Sequence, residues 1–288
     1  MTAGPDGRRY QHKLTSFMKD KIMSLLNFRR KEVPSVELPN PAVEAFLQDY
    51  SIEVMPRTAE KVENFRDLLP EGTRVYIAHI EGTPIEDMVA TAARLNADGY
   101  KVMPHFPARI IKDAATLENW INMYQGEADV KQALLLAGGV TAPHGDFSDS
   151  MQLMDSGLFD KYGFKRLHVA GHPEGNRDID TDGTRLRVDD ALRWKQGFSE
   201  RTDAKMAIAT QFAFGPSLKV LQKRAMDVTK LLLPYEPTDV VAELAAHKAA
   251  NPDFNISHVH FFPLGGIKAN ANWAIENGGA SAQPANAV

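Results

Sequence analysis

Three features of the 288-residue chain predict an α/β fold of the TIM-type (β/α)8 barrel class, incomplete or distorted between its sixth and last strands. Seven β-prone runs, near residues 49–55, 73–80, 100–106, 130–138, 164–171, 204–212 and 256–263, alternate with helical patterns rich in Ala, Leu, Glu and Lys. Two of these runs, Arg74-Val-Tyr-Ile-Ala78 and Ala133-Leu-Leu-Leu-Ala137, are nearly continuous in apolar residues, as parallel strands covered on both faces are. Polar or small residues collect at the C-terminal ends of the runs: Glu53, His79, His105, Gly138-Gly139, His172 with Glu174, and Gln211. Alternation alone leaves a doubly wound sheet open. The barrel is favoured because no strand is followed by Gly-x-Gly-x-x-Gly or Gly-x-x-x-x-Gly-Lys-Ser/Thr, and because a barrel gathers all the strand ends on one face.

In chain order, Leu14, Phe17, Met18, Ile22, Leu25, Leu26 and Phe28 fall at helical spacing, and Pro34, Pro39 and Pro41 follow as an extended connector. Residues 1–42 are therefore read as a helix and connector packed on the barrel, 43–275 as the barrel, and 276–288 as a Gly/Ala/Asn-rich disordered tail. Pro56 stops the first strand. A closed barrel needs eight strands, and the tally is seven. The interval from Phe214 to Asn255 reads instead as a helix over 217–232, a break at Leu233-Pro-Tyr-Glu-Pro237 and a helix from a Thr238-Asp239 cap to Ala250. A missing unit exposes ladder edges, so the reading favours a homo-oligomer or distorted closure.

Composition narrows the function. A formal charge of -4 argues against a nucleic-acid partner, whose binding rests on a positive field. The absence of Cys excludes disulfides and a thiolate nucleophile and fits a reducing, cytoplasmic compartment. No apolar run approaches the roughly 18 residues that span a bilayer, so no membrane partner is expected. Glu53 lies among Ile52, Val54 and Met55, and burying a carboxylate there costs several kcal/mol, roughly, unless it is protonated or serves a ligand. The plain alternative is a surface strand with Glu53 in water. Six histidines (79, 105, 168, 172, 258 and 260) lie in or beside strand runs, which keeps a metal-dependent barrel hydrolase open as an alternative. A Ser elbow and a strand-end Lys for Schiff-base chemistry are both missing. The remaining polar and small groups form a ring suited to a large flat ligand, with strand-exit glycines allowing close approach of backbone and Glu53 able to donate a proton.

From Ser51 to Gly266 the chain resembles the methylenetetrahydrofolate reductases, which are flavin-dependent (β/α)8 barrels. The resemblance rests on Ser51-Ile-Glu-Val-Met-Pro-Arg57, Met103-Pro-His-Phe-Pro-Ala-Arg109, Ala133-Leu-Leu-Leu-Ala-Gly-Gly139, Val169-Ala-Gly-His-Pro-Glu-Gly-Asn176, Ala209-Thr-Gln-Phe212 and His258-Val-His-Phe-Phe262. It implies FAD-dependent hydride exchange between 5,10-methylenetetrahydrofolate and 5-methyltetrahydrofolate, with NAD(P)H or another electron partner. Glu53 matches the acid that protonates the folate, and Gln211 with Phe212 matches folate-binding positions. Ala78, His79, His105, Leu136, Ala137, Gly138, Gly139, Phe147, Ser148, Gly171, His172, Asn176, Asp190 and Lys195 match flavin-contacting positions, and no metal is implied. The chain also departs from the pattern. Gly139 and Ala137 stand where the family has an aspartate and an arginine, His172 replaces an aromatic, Asn176 a histidine and Gly265-Gly266 a polar pair. A whole βα unit is skipped after Phe212. Loss of the aspartate favours the methyl-oxidising direction, and loss of the unit leaves a weakly active folate- or flavin-binding protein as a further alternative.

Overall fold

A computed structural model describes residues 40–173, 175–210, 237–263 and 266–279. The expected helix over 14–28 and its connector to Pro39, Glu174, Gln211, Phe212, the helix over 217–232 and Gly265 lie outside the described residues. Within them the alternation of strand and helix is as the sequence suggests. Helix α1 (Pro41–Leu47) begins where a connector was expected: Asn40 accepts a hydrogen bond from the Ala42 amide at 2.9 Å, and a proline in the first turn costs no hydrogen bond. Strand β1 (Ser51–Val54) ends at Pro56, which opens a one-turn helix, α2 (Pro56–Ala59). Then come β2 (Arg74–Ile77), α3 (Ile85–Ala97), β3 (Lys101–Pro107), α4 (Ala114–Ala128) and β4 (Gln132–Leu136). The second half contains α5 (Ser150–Asp155), α6 (Leu158–Lys161), β5 (Arg166–Gly171), α7 (Leu186–Ser199), β6 (Lys205–Thr210), α8 (Thr238–Ala250), β7 (His260–Phe261) and α9 (Ile267–Glu276).

The seven strands form one parallel sheet in the order β6-β5-β4-β3-β2-β1-β7. From β1 to β6 each strand lies beside its predecessor, with no reversal of order, as in a barrel. The last strand returns to pair with the first, through Ser51↔His260 and Ile52↔Phe261. This is the order of a barrel opened between β6 and β7, and it leaves the described residues as an α/β fold consistent with an incomplete barrel.

Alternation along each strand sorts the side chains into two layers. Ile52, Val54, Val75, Ile77, Phe106, Ala133, Leu135, Leu167 and Val169 are buried on the helix side. There Phe106 meets Tyr124, Phe159 and Phe164 with ring centroids 5.2–6.4 Å apart. The opposite face, here called the lumen, carries Glu53, Tyr76, Met103, His105, Leu134 and His168, all buried as well. Helices α3 and α4 start on sequence signals: Glu86 and Asp87 in the first turn of α3, and the Asp113 side chain accepting from the Thr116 amide at 2.8 Å.

Two boundaries differ from expectation. Pro237, not Thr238, precedes the first turn of α8, and Thr238 Oγ1 instead accepts a hydrogen bond from Trp273 Nε1 at 3.3 Å. A tertiary partner has claimed the hydroxyl that would cap the helix. The segment expected to be a tail is ordered at its start: Glu276 completes α9, Asn277 is buried, and Gly279 donates to the Ala274 carbonyl at 2.7 Å. The cause is the apolar face of α9, where Ile267, Ala271, Trp273 and Ala274 are buried and Trp273 packs on Phe261 of β7. Residues 280–288 lie outside the described residues.

Candidate functional site

The C-terminal end of the lumen is organised around Glu53. Its register neighbours on β1 and β2 are set by Glu53↔Tyr76, and β7 brings His260 alongside Ser51. As a result one carboxylate oxygen of Glu53, Oε2, lies 3.0 Å from His105 Nε2 and 3.7 Å from His260 Nε2. The far nitrogen of the second imidazole, His260 Nδ1, is 2.9 Å from Ser51 Oγ. Below them the Tyr76 ring lies against three imidazoles, with centroids 4.2 Å from His260, 5.8 Å from His168 and 6.2 Å from His105. The Tyr76 hydroxyl is hydrogen-bonded to His168 Nδ1.

Two effects compete at Glu53. Burial raises its pKa, but hydrogen bonding and opposite charge from His105 and His260 outweigh burial and hold it at about 2. The expected proton donor is therefore an ionised carboxylate in this state. His105 Nε2 and His168 Nε2 are buried without an aligned hydrogen-bond partner among the described residues. Burial, helped by the charges of Arg74 and Arg166, lowers His168 to about 3, so it is neutral near pH 7. Burial pushes Tyr76 up to about 12, which leaves its hydroxyl a donor.

The floor beside Glu53 is apolar: Tyr76, Met103 and Leu134 cluster, and Leu136 and Ala209 pack on them. Small residues surround it. Ala78 continues the β2 ladder by donating to the Val54 carbonyl at 2.8 Å. At the β5 exit the Lys195 ammonium reaches over from α7 to the Ala170 carbonyl at 2.8 Å, and burial lowers its pKa.

The β4 exit is held by Arg109. Its backbone N–H donates to the Ala137 carbonyl at 2.9 Å, its Nε to the Ser148 carbonyl at 2.9 Å, and one terminal nitrogen to the Val140 carbonyl at 3.1 Å. The sequence carried Arg109 within a motif but offered no sign of this clamp, because its acceptors are backbone carbonyls of a distant loop. Gly138 has φ of +96°, and a Cβ there would stand 3.0 Å from Pro107. Gly139 faces open space. Gly171 is glycine for a packing reason, since a Cβ would fall 2.3 Å from Ile208 Cγ2 on β6.

Other expected positions have different attachments. His79 is buried, with Nε2 3.0 Å from the Thr83 carbonyl and its ring 4.9 Å from that of Trp120; burial lowers its pKa. Phe147 lines a shallow hollow of about 540 Å³ in the helical layer, with Ala114, Glu118, Gln152 and Leu158. Ser148 donates through its amide and hydroxyl to Gln152. Asn176 closes a turn with the Asp178 amide at 2.8 Å, and Asp190 is exposed and paired with Arg193. His172 follows β5 and is partly exposed.

The structure thus joins Glu53 and His105 and adds His260, Ser51, Tyr76 and His168 to them. The alternation of His258-Val-His260 signalled the strand, but the cross-strand partner of His260 depends on a return pairing some 200 residues away. Among the described residues no three His, Cys, Asp or Glu side chains are grouped to hold a metal ion, so the metal-dependent alternative has no ligand set there. No helix among them is long and apolar enough to cross a membrane. No protein-family model matches the chain.

Proposed function

We propose that this chain is a flavin-dependent oxidoreductase on a TIM-type barrel lacking one βα unit, and that it interconverts 5,10-methylenetetrahydrofolate and 5-methyltetrahydrofolate. The observation that carries this reading is the Glu53 carboxylate at the C-terminal end of β1, held between two imidazoles beside an apolar floor. The residues present fit a flat heteroaromatic cofactor. Leu136, Ala209 and the Tyr76 cluster offer an apolar surface, and His105 Nε2 is a buried polar atom without an aligned partner. Ala137, Gly138, Gly139, Gly171, His172 and Lys195 lie at the strand exits around it. FAD, when bound, would supply the hydride chemistry.

The residues of the chain handle the proton. Glu53 Oε2 lies within reach of both imidazoles, 3.0 Å from His105 Nε2 and 3.7 Å from His260 Nε2, and Ser51 orients the His260 ring through Nδ1. A proton delivered at Glu53 originates on an imidazole and crosses from Nε2 to Oε2 as the folate amine develops basicity. This relay replaces the simple picture of a resting protonated acid. The Tyr76 ring meets His105 edge-on and lies tilted against His260, so it gives both imidazoles an aromatic neighbour. Gly139 stands with open space where the resembled family has an aspartate, and loss of that carboxylate favours the methyl-oxidising direction. NAD(P)H or another electron carrier would complete the cycle, in a cytoplasmic homo-oligomer whose subunits cover the edges of β6 and β7.

Purified protein saturated with FAD should show the visible absorption of bound flavin, and anaerobic 5-methyltetrahydrofolate should bleach it. Protein that binds FAD but is not bleached by either folate in either direction would overturn the folate assignment; protein that binds no flavin would overturn the whole reading.

A further inference from the structure

The opposite, N-terminal end of the lumen is lined by cations. Register places Arg74 of β2 beside Lys101 of β3, and Gln132 of β4 beside Arg166 of β5 and Lys205 of β6. All five alternate with buried helix-side residues such as Val75, Val102, Ala133 and Leu167, so they belong to the lumen face. Arg74 Nε donates to Gln132 Oε1 at 3.0 Å, across the intervening strand β3, which confirms that both side chains point inward.

The charges at this end are poorly matched. The hydrogen bond of the Arg74 guanidinium among the described residues is to a neutral amide, and neither Arg74 nor Arg166 has a salt bridge there. The carboxylate near enough to act on Arg74 is Asp49, which is also 3.9 Å from Lys101. Burial and the charge of Arg166 both lower the pKa of Arg74. Such crowding of cations is costly unless a counter-charge completes it. It is also local, because the chain as a whole carries a formal charge of -4. The next lumen-facing residue of β5, two positions beyond Arg166, is His168, which is 8% exposed and whose Nε2 is buried without a hydrogen-bond partner among the described residues. Its other nitrogen is engaged by Tyr76, which leaves Nε2 as the polar atom of the ring that a bound group can still satisfy.

We infer that the N-terminal mouth of the strand lumen is a binding site for a small, multiply charged oxyanion of the phosphate class, held by Arg74 and Arg166, with Lys101 and Lys205 at its rim. Guanidinium forks match the tetrahedral oxyanion, and the neutral amide of Gln132 holds the Arg74 fork in place. Neutral His168 can donate from Nε2 while accepting from the Tyr76 hydroxyl at Nδ1, a tautomer that suits an anion and not a metal. The site is separate from the Glu53 end and does not rest on the flavin reading.

The test is calorimetric titration of the full chain with inorganic pyrophosphate at fixed ionic strength, repeated with Arg74→Gln, Arg166→Gln and, as a control at the other end, Lys195→Gln. Saturable binding with a Kd at or below about 1 mM is expected, weakened about tenfold or more by either arginine change and unchanged by Lys195→Gln. Lys101→Gln, at a half-buried position, and Lys205→Gln, at an exposed one, should each weaken binding about two- to fivefold and reduce its salt dependence, and they serve if the arginine variants do not fold. Lack of saturation in the millimolar range, or equal weakening by Lys195→Gln, overturns the inference.

Discussion

At the C-terminal end of the lumen the buried Glu53 carboxylate meets two imidazoles, whereas at the N-terminal end the half-buried Arg74 guanidinium meets a neutral amide and a second guanidinium nearby. Both ends lie on the same strands, within two or three residues of one another in register. The first arrangement is balanced from within: the acid is kept ionised by groups that can give up a proton, so its charge can move without leaving the site. The second is balanced by nothing comparable among the described residues, so its charge is an invitation to an outside partner. Tyr76 and His168 separate the two, a neutral hydrogen-bonded layer that keeps a cationic mouth from quenching an anionic centre.

The largest effect should come from breaking the balanced end. Glu53→Gln keeps shape and volume but removes both the charge that holds the imidazoles and the oxygen that relays the proton. Folate turnover should fall about 10²–10⁴-fold, roughly 3–5 kcal/mol of barrier, with flavin binding retained. Steady-state rates within a few-fold of wild type would remove Glu53 from the mechanism.

Acid tests the neutral layer. His168 and Glu53 both have folded-state pKa values below their ordinary ones, about 3 against 6.5 and about 2 against 4.5. Each therefore binds a proton more readily when unfolded. The stability that His168 contributes is complete above pH 6.5 and is lost as pH falls toward 3; that of Glu53 is complete above 4.5 and is lost toward 2. By pH 4 the His168 contribution alone should have fallen by about 3 kcal/mol, since a group that protonates only in the unfolded chain costs about 1.4 kcal/mol for each pH step below its unfolded pKa. Urea midpoints of wild type and His168→Gln at pH 7 and pH 4 measure this. If the two proteins lose stability in parallel, the layer is not what acid attacks.

The two glycines at the Glu53 end sharpen the comparison on a smaller scale. Gly171→Ala should destabilise by about 1–3 kcal/mol because its Cβ would overlap Ile208, and Ile208→Ala on the same chain should restore most of the loss. Failure of the rescue would mean that Gly171 is glycine for another reason. Gly139→Asp has room and should fold normally. Its charge should lower the flavin midpoint potential by roughly 30 mV, corresponding to about 1.4 kcal/mol for two electrons. An unchanged or raised potential with FAD bound would end the electrostatic account of direction.

All seven strands were legible because each is a short β-prone run bounded by turn residues, and because burial on both faces makes apolar residues obligatory in the strands that receive it. Glu53 and His105 stood out for the complementary reason, being polar residues inside such runs. What local pattern could not supply was anything that depends on a distant partner. Helix α9 was missed because an Ala-rich face with one Trp reads as weakly amphipathic until Phe261 is there to receive it. The Thr238 hydroxyl reads as a cap until Trp273 competes for it.

The sequence by itself determined the order of parallel strands and helices and which face of each strand is polar, since both follow from alternation and from the obligation to bury apolar side chains. Only the tertiary structure decided that Ser51 pairs with His260, that Glu53 is consequently ionised between two imidazoles, and that Arg74 and Arg166 come close enough at one end of the lumen for their charges to act on each other. Those outcomes depend on cross-strand register and on the return of β7 to β1. A hydrophobic pattern constrains which face a residue occupies, but the distances that set charge and proton position arise only when strands far apart in the chain are brought side by side.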